Sequence, residues 1–99
     1  MAQFDVHELR SGRGFVIDCQ ADLHRSLPTR FVVPLVLPVT IEHSAGRLVP
    51  QFEIQGRSLM MATNFAATIA IRELGPVVTS LSEESHRVVG ALDVIITGF

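Results

Sequence analysis

Apolar and polar residues roughly alternate at the start of the chain, where Asp5, His7 and Glu8 separate Phe4, Val6 and Leu9. A period of two places alternate side chains on one buried face and predicts a half-buried strand. Arg10-Ser11-Gly12-Arg13-Gly14 breaks the alternation with two glycines and predicts a hairpin loop leading to a second strand over 15–20. No period runs through 21–29, and Pro28 excludes a helix passing through it. The valine-rich run 30–37 reads as a strand interrupted by Pro34, which has no N–H for a ladder and so marks an edge, a bulge or a bend between sheets. Pro38 opens a short segment over 39–42, and Ser44-Ala45-Gly46-Arg47 predicts another loop. Phe52 and Ile54 alternate with Gln51, Glu53 and Gln55, and Gly56-Arg57 supplies a Gly-X pair for a two-residue hairpin turn before 58–61 returns. Alternation recurs over 68–72. After Gly75-Pro76 the period lengthens: Leu81, Val88, Leu92, Ile95 or Ile96, and Phe99 define one face of a helix. Ser80 and Glu83 have capping-box spacing, and Glu83 and Glu84 lie where the helix dipole favours carboxylates. Short strands with a turn signal about every ten residues predict an antiparallel barrel or two packed sheets with one C-terminal helix.

Composition narrows this picture. The chain has 99 residues, enough for one domain over 1–99 and one core. Hydrophobic residues make up 47% and charged residues 18%, a balance that leaves apolar surface outside a small core and favours an interface, most simply a homodimer. A net charge of −2 argues against general nucleic-acid binding, which needs clustered Lys and Arg. The single cysteine, Cys19, cannot form an internal disulfide, which suits a reducing cytoplasm. No apolar run approaches membrane-spanning length and no signal-peptide pattern precedes the first strand, so a soluble, cytoplasmic protein is expected.

Catalytic chemistry finds little support. His7, His24, His43 and His86 lack metal-ligand spacing, and Glu83 with His86 offers two ligands at most, so surface histidines and no metal are expected. Ser85, His86 and Asp93 share one helix without an oxyanion loop and do not form a hydrolytic triad. Gly12-Arg13-Gly14 lacks the glycine spacing and Lys-Ser/Thr of a phosphate loop. Cys19, in phase with Ile17, reads as a small core residue, and Met60-Met61 as core filler. Neither a cofactor nor an enzymatic activity is expected; the chain reads as a binder of other proteins. Two features invite a functional reading. Asp18, Gln20 and Asp22 follow an apolar strand and precede a loop whose Leu23 and Leu27 have no core register. The C-terminal helix stays apolar to its last residues, Ile95-Ile96-Thr97-Gly98-Phe99.

At these residues the sequence resembles the CcdB family, toxins of type II toxin–antitoxin systems. The resemblance extends from Gln3-Phe4 to Phe99. It is carried by Ile17-Asp18-Cys19-Gln20-Ala21-Asp22, by Arg30-Phe31-Val32-Val33-Pro34-Leu35, by Met60-Met61-Ala62-Thr63, and by a helix closing on Gly98 and one bulky apolar residue. It implies a mostly β fold: an SH3-like barrel of an antiparallel sheet plus a smaller sheet, with a C-terminal α-helix, assembled as a homodimer with Ile95 near its axis. It implies a DNA gyrase inhibitor that binds the DNA-cleaving A subunit of DNA gyrase and poisons the topoisomerase, as in plasmid maintenance, and a CcdA-like antitoxin whose disordered segment silences it. Carried onto this chain, the gyrase-binding residues are Ala21, Leu23, His24, Asp93, Thr97, Gly98 and Phe99. The antitoxin-binding residues are Arg10, Arg13, His43 and Arg47, in the loops 10–14 and 42–47.

The chain departs from the family in its tail. The familiar plasmid toxins end Trp-Gly-Ile, whereas Thr97 stands here in place of the tryptophan, Phe99 in place of the isoleucine, and His24 in place of an aliphatic residue. A threonine cannot stack on a gyrase arginine, which forfeits about 0.5–2 kcal/mol of cation–π attraction. Two alternatives follow: a CcdB-like protein that has lost or retargeted gyrase binding while keeping an antitoxin, and a MazF-like endoribonuclease on the same barrel. The second alternative needs a basic surface, and the sequence concentrates none.

Overall fold

The computed structural model describes residues 2–38 and 46–98. The short segment expected over 39–42, the candidate residue His43 and the terminal Phe99 lie outside the described residues. Seven strands and one helix follow in order among the described residues: β1 (Asp5–Leu9), β2 (Phe15–Asp18), β3 (Thr29–Val36), β4 (Gln51–Ile54), β5 (Arg57–Met61), β6 (Ala67–Ala70), β7 (Leu74–Ser80) and α1 (Ser85–Thr97). They build a curled antiparallel half-barrel in the order β4-β5-β3-β2-β1-β7, with β6 paired to β3 beside that path. This is the mostly β barrel with a C-terminal helix that the sequence implies.

The central strand is β3. One edge pairs with β2 from Val32 to Leu35. The other edge pairs with β6 over Thr29 to Val32 and then with β5 at Leu35 and Val36. Pro34 sits where that edge changes partner, and its carbonyl accepts the Ala62 N–H at 2.9 Å. The register Leu35↔Met61 and Val36↔Met60 continues to Pro34 and Ala62, so Pro34 supplies the acceptor of that pair and lacks the N–H that would return the bond. Of an edge, a bulge or a bend between sheets, none describes the site fully: all seven strands belong to one sheet, and Pro34 marks the change of partner along one edge of β3, which links β2 to the β4–β5 hairpin.

Alternation on β1, β2 and β3 divides the apolar side chains between two faces. Val6, Ile17 and Val33 stand opposite one another across three strands. They form a fully buried row with Leu35, Phe52, Ile54, Leu59 and Met61, closed over by Leu81, Val88 and Ala91. Cys19 joins this core and Met60 is also buried, as their spacing suggests. Val16, Val32 and Leu74, with Leu9 and Ile69 against them, make a smaller cluster. Burying each such side chain contributes roughly 1.5–3 kcal/mol, so the two clusters supply most of the favourable free energy of a chain this short.

Four local expectations are corrected. The stretch around Gly75-Pro76 is a strand, β7, and not the approach to a helix; Gly75 and Pro76 lie in an irregularity opposite Glu8, between the pairs His7↔Val77 and Leu9↔Leu74. An edge strand with a bulge tolerates proline, so the break in pattern does not end the strand. The β4–β5 turn is Gln55-Gly56, since Ile54 pairs with Arg57. Both turn residues have positive φ, +52° and +79°, as a type I′ turn requires. The capping box does not form: the Ser80 hydroxyl accepts the Ser82 N–H at 3.2 Å, a 3-10 turn covers Ser82–Glu84, and α1 starts only at Ser85 with no side-chain cap. The alternation over 68–72 ends at Ala70, where a 3-10 turn, Ile71–Glu73, takes over.

Two glycines should respond oppositely to alanine. A Cβ on Gly75 would stand 2.5 Å from the Glu8 carbonyl oxygen, so Gly75→Ala must force β7 away from β1. It should cost about 1–3 kcal/mol. Gly90 lies inside α1 with nothing within 4 Å of a Cβ, and Gly90→Ala should add up to about 1 kcal/mol. Urea unfolding of both variants checks the signs.

Candidate functional site

The first surface begins where β2 ends. Cys19 N–H continues the strand pairing to the Phe31 carbonyl at 2.9 Å, and a 3-10 turn then covers Asp22–His24. Nothing in that turn is buried, and Ala21, Leu23 and His24 all face solvent. Leu23 is 86% exposed and Leu27 48% exposed, so neither belongs to the core, as their lack of register suggested. Asp22 accepts the Gln3 N–H at 2.9 Å, and the Gln20 side chain bridges the base of the turn to β3.

The end of α1 forms the second surface. The apolar face read from the sequence divides in two: Val88 and Ala91 are fully buried within the chain, whereas Val89, Ile95 and Ile96 remain exposed, Ile96 at 78%. Gly98 closes the helix in the left-handed region at φ +86°, and its N–H bonds to the Val94 carbonyl at 2.8 Å. A residue with a Cβ would be strained in that cap. The Thr97 hydroxyl donates back to the Asp93 carbonyl at 2.6 Å. Asp93, Ile95 and Thr97 therefore lie at the end of α1 with Gly98 as its cap, while Ala21, Leu23 and His24 belong to a different element. Among the described residues α1 packs chiefly on the turns Gly46–Leu48 and Thr63–Phe65 rather than on Asp22–His24.

The candidate basic residues differ in how free they are. The Arg10 guanidinium is engaged by the Arg72 carbonyl at 2.8 Å and the Leu74 carbonyl at 3.2 Å, tying the 10–14 loop to the start of β7. Arg13 is exposed at the tip of the same hairpin. Arg47, with His86, Arg87 and Gly90, lines a cleft of about 480 Å³ between the 46–50 segment and α1. Arg87 is held there by Glu84 at 3.1 Å and by the Gln51 carbonyl at 2.7 Å, and it stacks 4.5 Å over the Phe52 ring.

Sequence reasoning missed a buried polar cluster. His7 is 1% exposed, which corrects its expected place on the surface. Its Nδ1–H donates to the Gly75 carbonyl at 3.0 Å, since a carbonyl can only accept. Asp18 and Arg30 are buried too, with Arg30 Nε 3.7 Å from Asp18 Oδ2, too long for a hydrogen bond. The available signal was phase: Asp18 follows Val16, and Arg30 precedes Val32, at the period that places them on one face. Burial pushes the Asp18 carboxyl above its usual 3.8, against the lowering influence of the Gln20 N–H, Arg30 and His7. Burial likewise pushes the Cys19 thiol up to about 12, leaving it protonated and unreactive at neutral pH. Among the described residues no three His, Cys, Asp or Glu side chains group as metal ligands.

Because the folded carboxyl of Asp18 holds its proton above pH 3.8, the folded state binds more protons than the unfolded one just above that pH. Its contribution is greatest below pH 3.8 and declines as pH rises through the raised folded value. Asp18→Asn should therefore be penalised more, relative to wild type, at pH 3 than at pH 7. Arg30→Met should cost about 3–5 kcal/mol by stranding the carboxylate. Denaturant titrations across pH 3–8 read both effects.

The geometry gives two exposed apolar ends and a cleft beside α1 to which Arg47, His86 and Arg87 contribute. The family described as CcdB protein matches residues 3–98 of the chain. No curated protein matches it. A match over nearly the whole length, on a curled antiparallel half-barrel with one C-terminal helix, establishes that the chain belongs to the CcdB family.

Proposed function

We propose that this chain, as the toxin of a toxin–antitoxin pair, acts by binding the A subunit of DNA gyrase and poisoning the topoisomerase, with no chemistry of its own. Family membership supports the toxin assignment. The observation that carries the finer reading is the pair of exposed apolar ends, Leu23 with Leu27 on one turn and Ile96 on the last turn of α1. Apolar side chains displayed on rigid elements are anchors for a partner when they cluster at an interface. Ala21, His24, Asp93, Thr97, Gly98 and Phe99 complete the gyrase surface. Ile95 lies at the axis of a homodimer, which gathers the ends of the two helices around a twofold.

A CcdA-like antitoxin covers the 10–14 and 42–47 loops in the same reading, through Arg13, His43 and Arg47. Arg10 contributes by holding its loop against β7, since its guanidinium is already engaged. A disordered acidic or apolar segment suits such a surface because it can wrap a large area as it folds. One observation favours retargeting within the same family: the Thr97 hydroxyl is spent on the Asp93 carbonyl and presents no flat face to a guanidinium.

Three measurements test this reading. Sedimentation at micromolar concentration should give twice the 10.8 kDa chain mass, and Ile95→Asp should give the monomer. Pull-down with the host's gyrase should capture its DNA-cleaving subunit on the wild type and fail with Leu23→Asp. Thr97→Trp should tighten that binding by about tenfold, the worth of one cation–π contact. Capture of no gyrase by wild type and Thr97→Trp alike would leave the retargeted reading in its place.

A further inference from the structure

The turn that displays Leu23 has nothing to hold it by packing. Residues 21–28 are all exposed, and the Asp22–His24 turn buries no side chain. Eight residues without core contacts ordinarily sample many conformations, and a partner binding them must bear the entropy of ordering them. Three hydrogen bonds from one residue oppose this. Gln20 N–H donates to Asp18 Oδ1 at 3.0 Å, Gln20 Oε1 accepts the Phe31 N–H at 2.9 Å, and Gln20 Nε2 donates to the His24 carbonyl at 2.8 Å. The first bond roots the residue in the buried Asp18–Arg30 pair and the second fixes its amide to the edge of β3. The third reaches across the turn to the carbonyl of His24, the residue after Leu23.

We infer that Gln20 is a positioning residue: its carboxamide locks the 21–28 segment so that Leu23 and His24 are presented to the partner already ordered. This rests on the reading of that turn as part of the gyrase surface. The chemistry requires an amide. An acceptor alone satisfies Phe31 N–H but places a second oxygen against the His24 carbonyl, and an apolar side chain satisfies neither. Asp22, which accepts the Gln3 N–H, holds the near end of the turn, so Gln20 governs its far side.

The test uses full-length protein with Gln20→Glu and Gln20→Leu, measured by amide exchange, by binding to purified gyrase and by thermal unfolding. The informative amides are His24, Arg25 and Leu27, which bond to the carbonyls of Ala21, Asp22 and His24. In Gln20→Glu these amides should exchange roughly tenfold faster while those of β1 and β2 are unchanged, and gyrase affinity should fall about tenfold with the melting temperature retained. Gln20→Leu should do the same and also release Phe31 N–H. Unchanged exchange at the three amides overturns the inference, as does unchanged affinity in Gln20→Glu when Leu23→Asp weakens binding. Leu23→Asp leaves the bonds of Gln20 in place, so if it has no effect on affinity the gyrase reading of the turn is at fault, and the inference falls with it.

Discussion

Strand β3 carries hydrogen-bond ladders on both edges, and one edge must pass from β6 to β5 in the space of a few residues. Pro34 stands at that passage, with its carbonyl accepting the Ala62 N–H and no N–H of its own to return the bond. Proline ends the pairing with β5 on a one-way bond, because it supplies an acceptor and no donor. The rest of the architecture hangs from this junction. It lets the β4–β5 hairpin curl round the end of the main sheet, which brings Phe52, Ile54 and Leu59 under α1 to close the larger core.

The same strand organises the polar interior. Arg30 enters from the half of β3 paired with β6, and Asp18 from the end of β2, so the loop between them starts and finishes on one buried ion pair. Both charges are desolvated, and their separation of 3.7 Å recovers only part of that cost. Such a pair is weak evidence of stability. Its geometric effect is firmer: it fixes the two stems of the 21–28 segment, while Gln20 and Asp22 fix the segment itself. A turn with no hydrophobic anchorage is thereby held by polar contacts alone, leaving its leucines free to face outward.

What could be read from the sequence was what local period determines. β1, β2, the 10–14 hairpin, the β4–β5 hairpin and the body of α1 all follow from alternation or helical spacing within ten residues. β7 was hidden because a bulged edge strand accommodates Gly75-Pro76 without ending. The hairpin turn lies one residue earlier than Gly56-Arg57 suggests, because Gln55 adopts a positive φ that its side chain does not advertise. The outward Leu23 and Leu27 were legible as apolar residues without register. His7, Asp18 and Arg30 were not, because a polar residue in a strand is ordinarily assigned to water, and only the tertiary fold brings these three together. The role of Gln20 was hidden for the same reason: its two side-chain partners, Phe31 N–H and the His24 carbonyl, are brought to it by the return of β3 and the winding of the turn.

β7 has a consequence for how copies of this protein can and cannot associate. Among the described residues it is the outermost strand beyond β1, and an open strand edge is a template on which another chain can add, seeding fibrils or continuous intermolecular sheets. Pro76 removes one backbone donor from that strand, and the irregularity it shares with Gly75 breaks the flat repeat that an added strand must match. Ribbon growth through β7 is thus obstructed within the backbone itself. Any association between copies is thereby left to side-chain surfaces, where contacts are saturable and do not propagate as a sheet does.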